Sequence, residues 1–427
     1  MPIPDEKEGA VASGAERVTI LAGRLLDVVA GVTLTDQAIV IADGRVESVA
    51  ARTDVVAGTR TVDLTGLFVL PGLIDCHTHI TEESYPKRVL ALGSSAARDA
   101  LVGLHNARRT LEAGFTTVRD CGPFRALTDI ALRDAIQEGL VEGPRIVACG
   151  AYMSVTAGAA DITWVTPDVR ERLPLELRFG LADTPDEMRT RVRELLHAGA
   201  DFIKLNATGA YVAPGTRPDL GEMSEAQIAV AVEEAERYGA HVAAHAHGAG
   251  GVKAAVRAGV RSIEHGTMLD DDAIQLMKDA GTYLVPTLWG TEYSLQESLR
   301  SASTEGGERE RLAMLSPRHR SSFQKALGAG VKLAFGTDSG SMPHALNATE
   351  FQLMADLGMP PLDAIRAATI WAADLLRRSA DLGSIQPGRH ADLIAVRGDP
   401  LTNLGLLRAP EFVMKGGHVV SNRGEGA

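Results

Sequence analysis

The chain has 427 residues, 45% hydrophobic and 23% charged, with a formal net charge of −12. That balance belongs to a globular protein with room for one large domain or two ordinary ones, and its sign argues against a nucleic-acid-binding surface. No uninterrupted apolar run is long enough to span a bilayer, and Cys76, Cys121 and Cys149 are too scattered for a disulfide framework or a zinc ribbon. A reducing compartment fits such cysteines, and residues 1–15 carry no basic start followed by an apolar stretch, so the expected location is cytoplasmic.

Residues 1–15 are small and polar and are expected to form a disordered tail. Residues 16–70 read as short strands, 18–22, 38–41 and 46–50, with Asp43-Gly44 as a hairpin signal. From Phe68 the pattern changes to apolar strands alternating with amphipathic helices. Strands are predicted at 68–76, 115–120, 145–151, 201–207, 240–247, 261–265, 282–288 and 332–338. Helices are predicted at 97–113, 185–198, 224–238, 249–258 and 270–280, with Ile228, Val232, Ala235 and Tyr238 on one face. Several of these end at a glycine that leads into the next strand, as in Ala113-Gly114 and Ala280-Gly281.

Eight strand–helix units predict an α/β fold, a (β/α)8 TIM-type barrel over residues 71–382. One long amphipathic helix is predicted at 361–378, and strands resume at 391–396, 412–415 and 418–421. Each terminal segment is too small to bury a core alone. Residues 16–70 and 383–423 are therefore expected to pair into one small β-sandwich.

Chemistry in such a barrel sits at the C-terminal ends of its strands. The first ends in Asp75-Cys76-His77-Thr78-His79, and alternate residues of a strand share a face. His77 and His79 therefore project together, an arrangement suited to a divalent transition metal, although alone the pair is as readily a polar strand end. The fourth strand carries Lys204 among apolar neighbours, the fifth offers His245 and His247 on one face, the sixth ends in Glu264-His265-Gly266 and the eighth in Thr337-Asp338. Four histidines and a carboxylate ligate two metals if one more ligand bridges them. Lys204 serves only after losing its proton, which burial and nearby cations promote, and adding carbon dioxide to become a carbamate. The competing reading is a lysine paired with an acid.

This set of residues in this strand order resembles the amidohydrolase superfamily. Ala244-His245-Ala246-His247-Gly248, Ser262-Ile263-Glu264-His265-Gly266, Val285-Pro286-Thr287, Gly336-Thr337-Asp338 and the returning segment Gly383-Ser384-Ile385-Gln386-Pro387-Gly388 are similar to its prolidase-like branch. That branch is related to imidazolonepropionases and includes metal-dependent dipeptidases and ochratoxin-type amidases. The resemblance implies two divalent metal ions. His77, His79 and Asp338 would hold one, His245 and His265 the other, with carboxylated Lys204 and a hydroxide bridging them. Zinc is the first candidate, with manganese and cobalt as alternatives. It further implies Asp338 as the proton carrier for cleavage of an amide-type C–N bond.

Other roles stay open. His247 is read either as a catalytic or substrate contact or as a hydrogen-bonded structural residue; His241 is read as structural. The loop after the third strand, from Tyr152 through Ser154 to Asp161, resembles a Ser-x-Thr-Gly-Gly-His-Gly-Asp pattern in which Ala159 stands where the branch has histidine. That departure implies either an altered substrate or a substitute such as His247 or Tyr211. Ser154, Tyr211, Trp289 and His344 are the substrate-binding candidates, with Trp289 alternatively closing the seventh strand against a helix. Trp164 and Tyr293 add to the aromatics at predicted loops, which suit a flat or bulky group. Arg119 and Arg217 are available to clamp a carboxylate, though nothing selects them. The expected substrate is a small molecule, a dipeptide or N-acyl amino acid. The alternatives are a non-peptide aryl amide, carbamate or phenylurea and, in another class, a non-catalytic barrel that only binds. Homo-oligomerisation is compatible with the fold; no nucleic-acid or membrane partner is expected.

Overall fold

The computed structural model describes residues 17–54, 60–83, 92–211, 213, 215–300 and 306–423. The expected tail, residues 1–15, lies outside them. The chain opens with four strands, β1 (Val18–Asp27), β2 (Val32–Ala42), β3 (Arg45–Ala51) and β4 (Arg60–Pro71). Asp43 and Gly44 both have positive φ, 51° and 73°, so the β2–β3 hairpin turns at the predicted pair. Eight further strands follow: β5 (Leu73–Thr78), β6 (Phe115–Asp120), β7 (Arg145–Ala148), β8 (Tyr152–Met153), β9 (Ile203–Asn206), β10 (Val242–Gly248), β11 (Ser262–Met268) and β12 (Tyr283–Val285). The chain closes with β13 (Leu393–Val396), β14 (Phe412–Lys415) and β15 (His418–Asn422).

Strands from both ends of the chain share one seven-stranded sheet, ordered β15-β14-β13-β4-β1-β2-β3. A two-sheet sandwich is expected from the sequence; hydrogen bonding instead runs continuously through all seven strands. The sheet curls, because Val46 in edge strand β3 bonds in both directions with the segment leading into β13, its N–H to Arg389 O at 2.9 Å and its carbonyl to Gly388 N at 2.8 Å. One apolar cluster, including Ile20, Ile39, Val62, Leu393 and Phe412, fills the curl. Strand β4 serves two cores through its alternation: Val69 faces this cluster, whereas Phe68 and Leu70 face the main core.

The remaining strands are parallel, in the orders β5-β6-β7 and β8-β9-β10-β11-β12. Strands β7 and β8 are successive pieces of one pass, the first paired with β6 and the second with β9. The predicted strand 332–338 is irregular but joins the two ends. Leu284 N–H donates to Lys332 O and Ala334 N–H to Leu284 O on one side, while Cys76 N–H donates to Phe335 O on the other.

Helices occupy 96–112, 185–197, 225–237, 249–257 and 271–280, close to the predicted bounds. Thr184 with Glu187 and Ser224 with Gln227 form reciprocal capping boxes, and Gly281 ends its helix in the left-handed conformation. The single helix expected at 361–378 is broken into Pro361–Ala367 and Ile370–Leu375. The break releases two carbonyls to the strands: Ala367 O accepts from Phe335 N–H and Ala368 O from Ile74 N–H. All three cysteines are buried and free, and no helix among the described residues is long and apolar enough to cross a membrane.

Candidate metal centre

The C-terminal ends of β5, β9, β10 and β11, with the turn at 336–340, converge on one cavity. His77, His79, Lys204, His245, His265 and Asp338 all line it. Two glycines permit the approach. A Cβ on Gly336 would sit 3.0 Å from His77 Cβ, and one on Gly340 would sit 2.5 Å from His79 Cβ, below contact distance. Three non-glycine residues, His265, Thr287 and Asp338, have φ of 71°, 54° and 64°. Such backbone costs energy and persists where the surroundings enforce it, as functional sites do.

Hydrogen bonds assign the ring nitrogens. His79 Nδ1 lies 2.6 Å from Gly122 O, and a carbonyl only accepts, so Nδ1 carries the hydrogen and Nε2 keeps its lone pair. His77 Nδ1 lies 2.7 Å from a Glu264 carboxylate oxygen, leaving its buried Nε2 with no hydrogen-bond partner. His265 Nδ1 meets Thr287 Oγ1 at 2.8 Å, and His245 Nε2 meets Gly209 O at 3.3 Å, which leaves His265 Nε2 and His245 Nδ1 as donor atoms. Burial holds His245 and His265 well below the usual imidazole pKa, aided for each by the other histidines around it. Both are therefore neutral, the form that ligates. Asp338 Oδ1 lies 3.1 Å from His79 Nε2 and 3.4 Å from His77 Nε2. Burial alone would raise its pKa, but the two histidines beside it hold it well below the ordinary range.

The donor set fits a divalent ion: buried imidazole nitrogens, those of His245 and His265 neutral, and one carboxylate, aimed together, with His77, His79 and Asp338 able to present their ligand atoms mutually within 4.8 Å. Lys204, in register with Ala243 and Tyr152, is only 2% exposed. No carboxylate among the described residues lies within ion-pair distance of it, against the reading of an acid-paired lysine.

The other candidates divide. Tyr211 lines the cavity, and so does Ala159, whose N–H donates to Glu222 at 2.8 Å. His247 lies directly behind the lining, its Nδ1 2.9 Å from Thr267 Oγ1, its ring 4.4 Å from that of His245 and its Nε2 buried without a partner. Ser154 is buried, and its Oγ accepts from Ala160 N–H, so it shapes the loop and is absent from the lining. Trp289 is also outside the lining. The expected strand stops at Val285, and Glu350 caps a new helix by accepting from Leu288 and Trp289 N–H, which turns the indole against Tyr293. His344 bonds Thr110 Oγ1 at 3.2 Å and borders a separate cavity beside His105 and Arg109. Neither arginine is a clamp: Arg119 is fully buried against Glu264, and Arg217 is exposed and paired with Asp219.

Sequence reasoning gave no role to several residues that set the geometry. Asp120 accepts from Ile80 and Gly122 N–H and so pins the carbonyl that holds His79. His319 Nε2 lies 3.1 Å from His265 O, holding that strained residue from helix 306–329. Phe124, Tyr152 and Trp164 complete the cavity wall, with Phe124 and Trp164 stacked at 6.3 Å. A lone histidine in a long helix carries no signal for such a role; of these aromatics Trp164 is the one that the sequence singles out as a loop aromatic suited to a flat or bulky group.

The family described as the Amidohydrolase family matches residues 68–421. Ochratoxinase of Aspergillus niger is 31% identical, an alignment spanning 96% of this chain and 88% of that protein. Among solved structures, a Xaa-Pro dipeptidase with bound methionine in the active site is 36% identical, with a TM-score of 0.89 over 94% of this chain and 99% of its own. A prolidase complexed with N-methylphosphonate-L-proline is 30% identical, with a TM-score of 0.87 over 95% of this chain and 100% of its own. With these relatives the parallel strands belong to a TIM-type barrel accompanied by a further domain. The chain is a member of the amidohydrolase family, in its prolidase-like and ochratoxin-type branch, and a hydrolase of carbon–nitrogen bonds.

Proposed function

We propose that the chain is a binuclear metal-dependent amidohydrolase whose (β/α)8 barrel spans residues 71–382, beside a composite β-domain from 16–70 and 383–423. The carrying observation is the set of buried imidazole nitrogens left free at one cavity by hydrogen bonds on their opposite ring atoms. His77, His79 and Asp338 would hold one ion, His245 and His265 the second, and a carboxylated Lys204 would bridge them, with zinc the first candidate by ligand type. When bound, two such ions acidify an attacking water and polarise the scissile carbonyl. Asp338 takes the proton from the nucleophile and returns it to the departing amine. Tyr211 faces the substrate, and His247 buttresses His245 from behind.

The substrate is proposed to be a dipeptide or N-acyl amino acid, as the dipeptidase, prolidase and ochratoxinase relatives support. A specific observation favours a second reading, a non-peptide aryl amide, carbamate or phenylurea. Ala159 puts a methyl group into the cavity where the branch pattern has histidine, and Phe124, Tyr152 and Trp164 give an aromatic wall.

A hydrolysis screen on zinc-loaded and chelator-stripped protein tests both. Metal-dependent release of a free amino acid from N-acyl amino acids or dipeptides supports the first reading. Cleavage confined to carbamates, ureas or anilides supports the second, and no metal-dependent cleavage of any class defeats both. Trp164, at the mouth and 37% exposed, is expected to contribute to KM alone. Trp164→Ala should raise KM for aryl substrates by about 3–10-fold with kcat nearly unchanged, as steady-state kinetics would read.

A further inference from the structure

Behind the metal centre lies a fully buried network that the reaction itself does not use. Arg119 on β6 and Glu264 on β11 both have zero exposure. Arg119 Nη2 donates to Glu264 Oε1 at 2.7 Å, Nη1 donates to Ser262 Oγ at 3.1 Å and Nε donates to Cys76 O at 2.6 Å. Ser262 Oγ donates to the same Oε1 of Glu264. The guanidinium also lies over the Phe202 ring, 5.2 Å from its centroid. One carboxylate oxygen is thereby committed to Arg119 and Ser262. The other, Oε2, points at His77 Nδ1, 2.7 Å away.

We propose that Glu264 and Arg119 are positioning residues for the His77 side of the centre. Glu264 fixes His77 as the Nδ1–H tautomer and aims its Nε2 at the cavity, and Arg119 with Ser262 fixes Glu264. The proposal rests on the two-ion reading above. Adjacent residues of β11 then divide two tasks: His265 faces the cavity, while Glu264 reaches the first strand's histidine from behind. A rival assignment exists, because His77, Cys121 and Glu264 also present ligand atoms within 4.8 Å of one another. The Arg119 guanidinium on Glu264 argues against a cation there, and the hydrogen bonds already account for both carboxylate oxygens.

Glu264→Gln is diagnostic. Its carbonyl oxygen has to face Arg119, which only donates, so its amide NH2 faces His77 Nδ1. The imidazole then accepts at Nδ1 and carries its hydrogen on Nε2, the wrong tautomer for ligation. Chelator competition should show one of two ions bound about 10–100-fold more weakly, with the other little changed. Long-range ¹H–¹⁵N spectra of histidine-labelled, metal-free protein should show one ring changing tautomer. Glu264→Gln also leaves Arg119 buried without a countercharge, so a second variant, Arg119→Met with Glu264→Leu, removes both charges together. It should unfold cooperatively and show the same selective weakening. Unchanged affinity for both ions in either folded variant overturns the proposal, as does loss of folding in both, which would make the network purely structural. Parent protein that binds no ions at all defeats the two-ion reading itself, a result distinct from unchanged variant affinity.

Discussion

Asp338→Asn lowers kcat by about 10²–10⁴-fold while leaving the thermal unfolding midpoint close to that of the parent protein. The substitution keeps the shape of the side chain and removes its capacity to take a proton. The backbone is not a complication. Asp338 has φ of 64°, a conformation that asparagine tolerates as well as aspartate. Packing changes little, because Gly290 provides the space beside the Asp338 side chain and the amide occupies the same volume. The His77 and His79 contacts keep an acceptor oxygen, at 3.4 and 3.1 Å in the parent protein, although the charge they face is lost. Metal content has to be measured alongside the rate, since a neutral ligand binds a cation less well. Near-parental turnover with both ions present would remove Asp338 from the proton path. A lost rate with both ions retained would assign it the proton specifically.

The convergence of His77, His79, Lys204, His245, His265 and Asp338 on one cavity was legible because residue type at strand ends signals it. His-x-His can be recognised without knowing the neighbours, since strand period two alone puts both rings on one face. Lys204 stood out as the one charged residue in the apolar strand Ile203–Asn206. The substrate wall was less legible. Trp289 was expected to end a strand, but Glu350, some sixty residues later, supplies the cap that starts a helix there. No local pattern encodes a cap delivered from so far away. His344 failed for a related reason: the turn after Asp338 carries it to Thr110 on the buried face of helix 96–112, outside the cavity lining. Nothing in the sequence selects Arg119 or Arg217 as a clamp, and the Arg119 side chain runs between the strands to Glu264. In the fold, the expected helix 361–378 had the right amphipathic spacing throughout. What breaks it is a demand from elsewhere, the two strand N–H groups of Ile74 and Phe335 that need carbonyls. Where the sequence misled, the deciding partner was distant along the chain.

Lys204→Ala carries the other large expected effect, loss of metal from a protein that still folds. The side chain is buried at the end of β9 and has no acid partner among the described residues, so its removal breaks no ion pair. The space it leaves opens onto a polar cavity and can fill with water, which limits the stability cost. Were Lys204 an ordinary ammonium, it would repel cations beside His245 and His79, and alanine would bind metal at least as tightly. As a carbamate it contributes two oxygens and a negative charge, and its loss should lower ion occupancy and activity by about 10²-fold. The two accounts predict opposite signs, so elemental analysis of the purified variant separates them before any assay. Chemical rescue sharpens the distinction. Formate, acetate or propionate can enter the vacated space and return two oxygens without a tether, so partial recovery of both occupancy and turnover is expected as the acid is titrated in. Recovery of neither, with occupancy equal to that of the parent protein, would leave Lys204 as a buried cation, and the two ions would need another bridge.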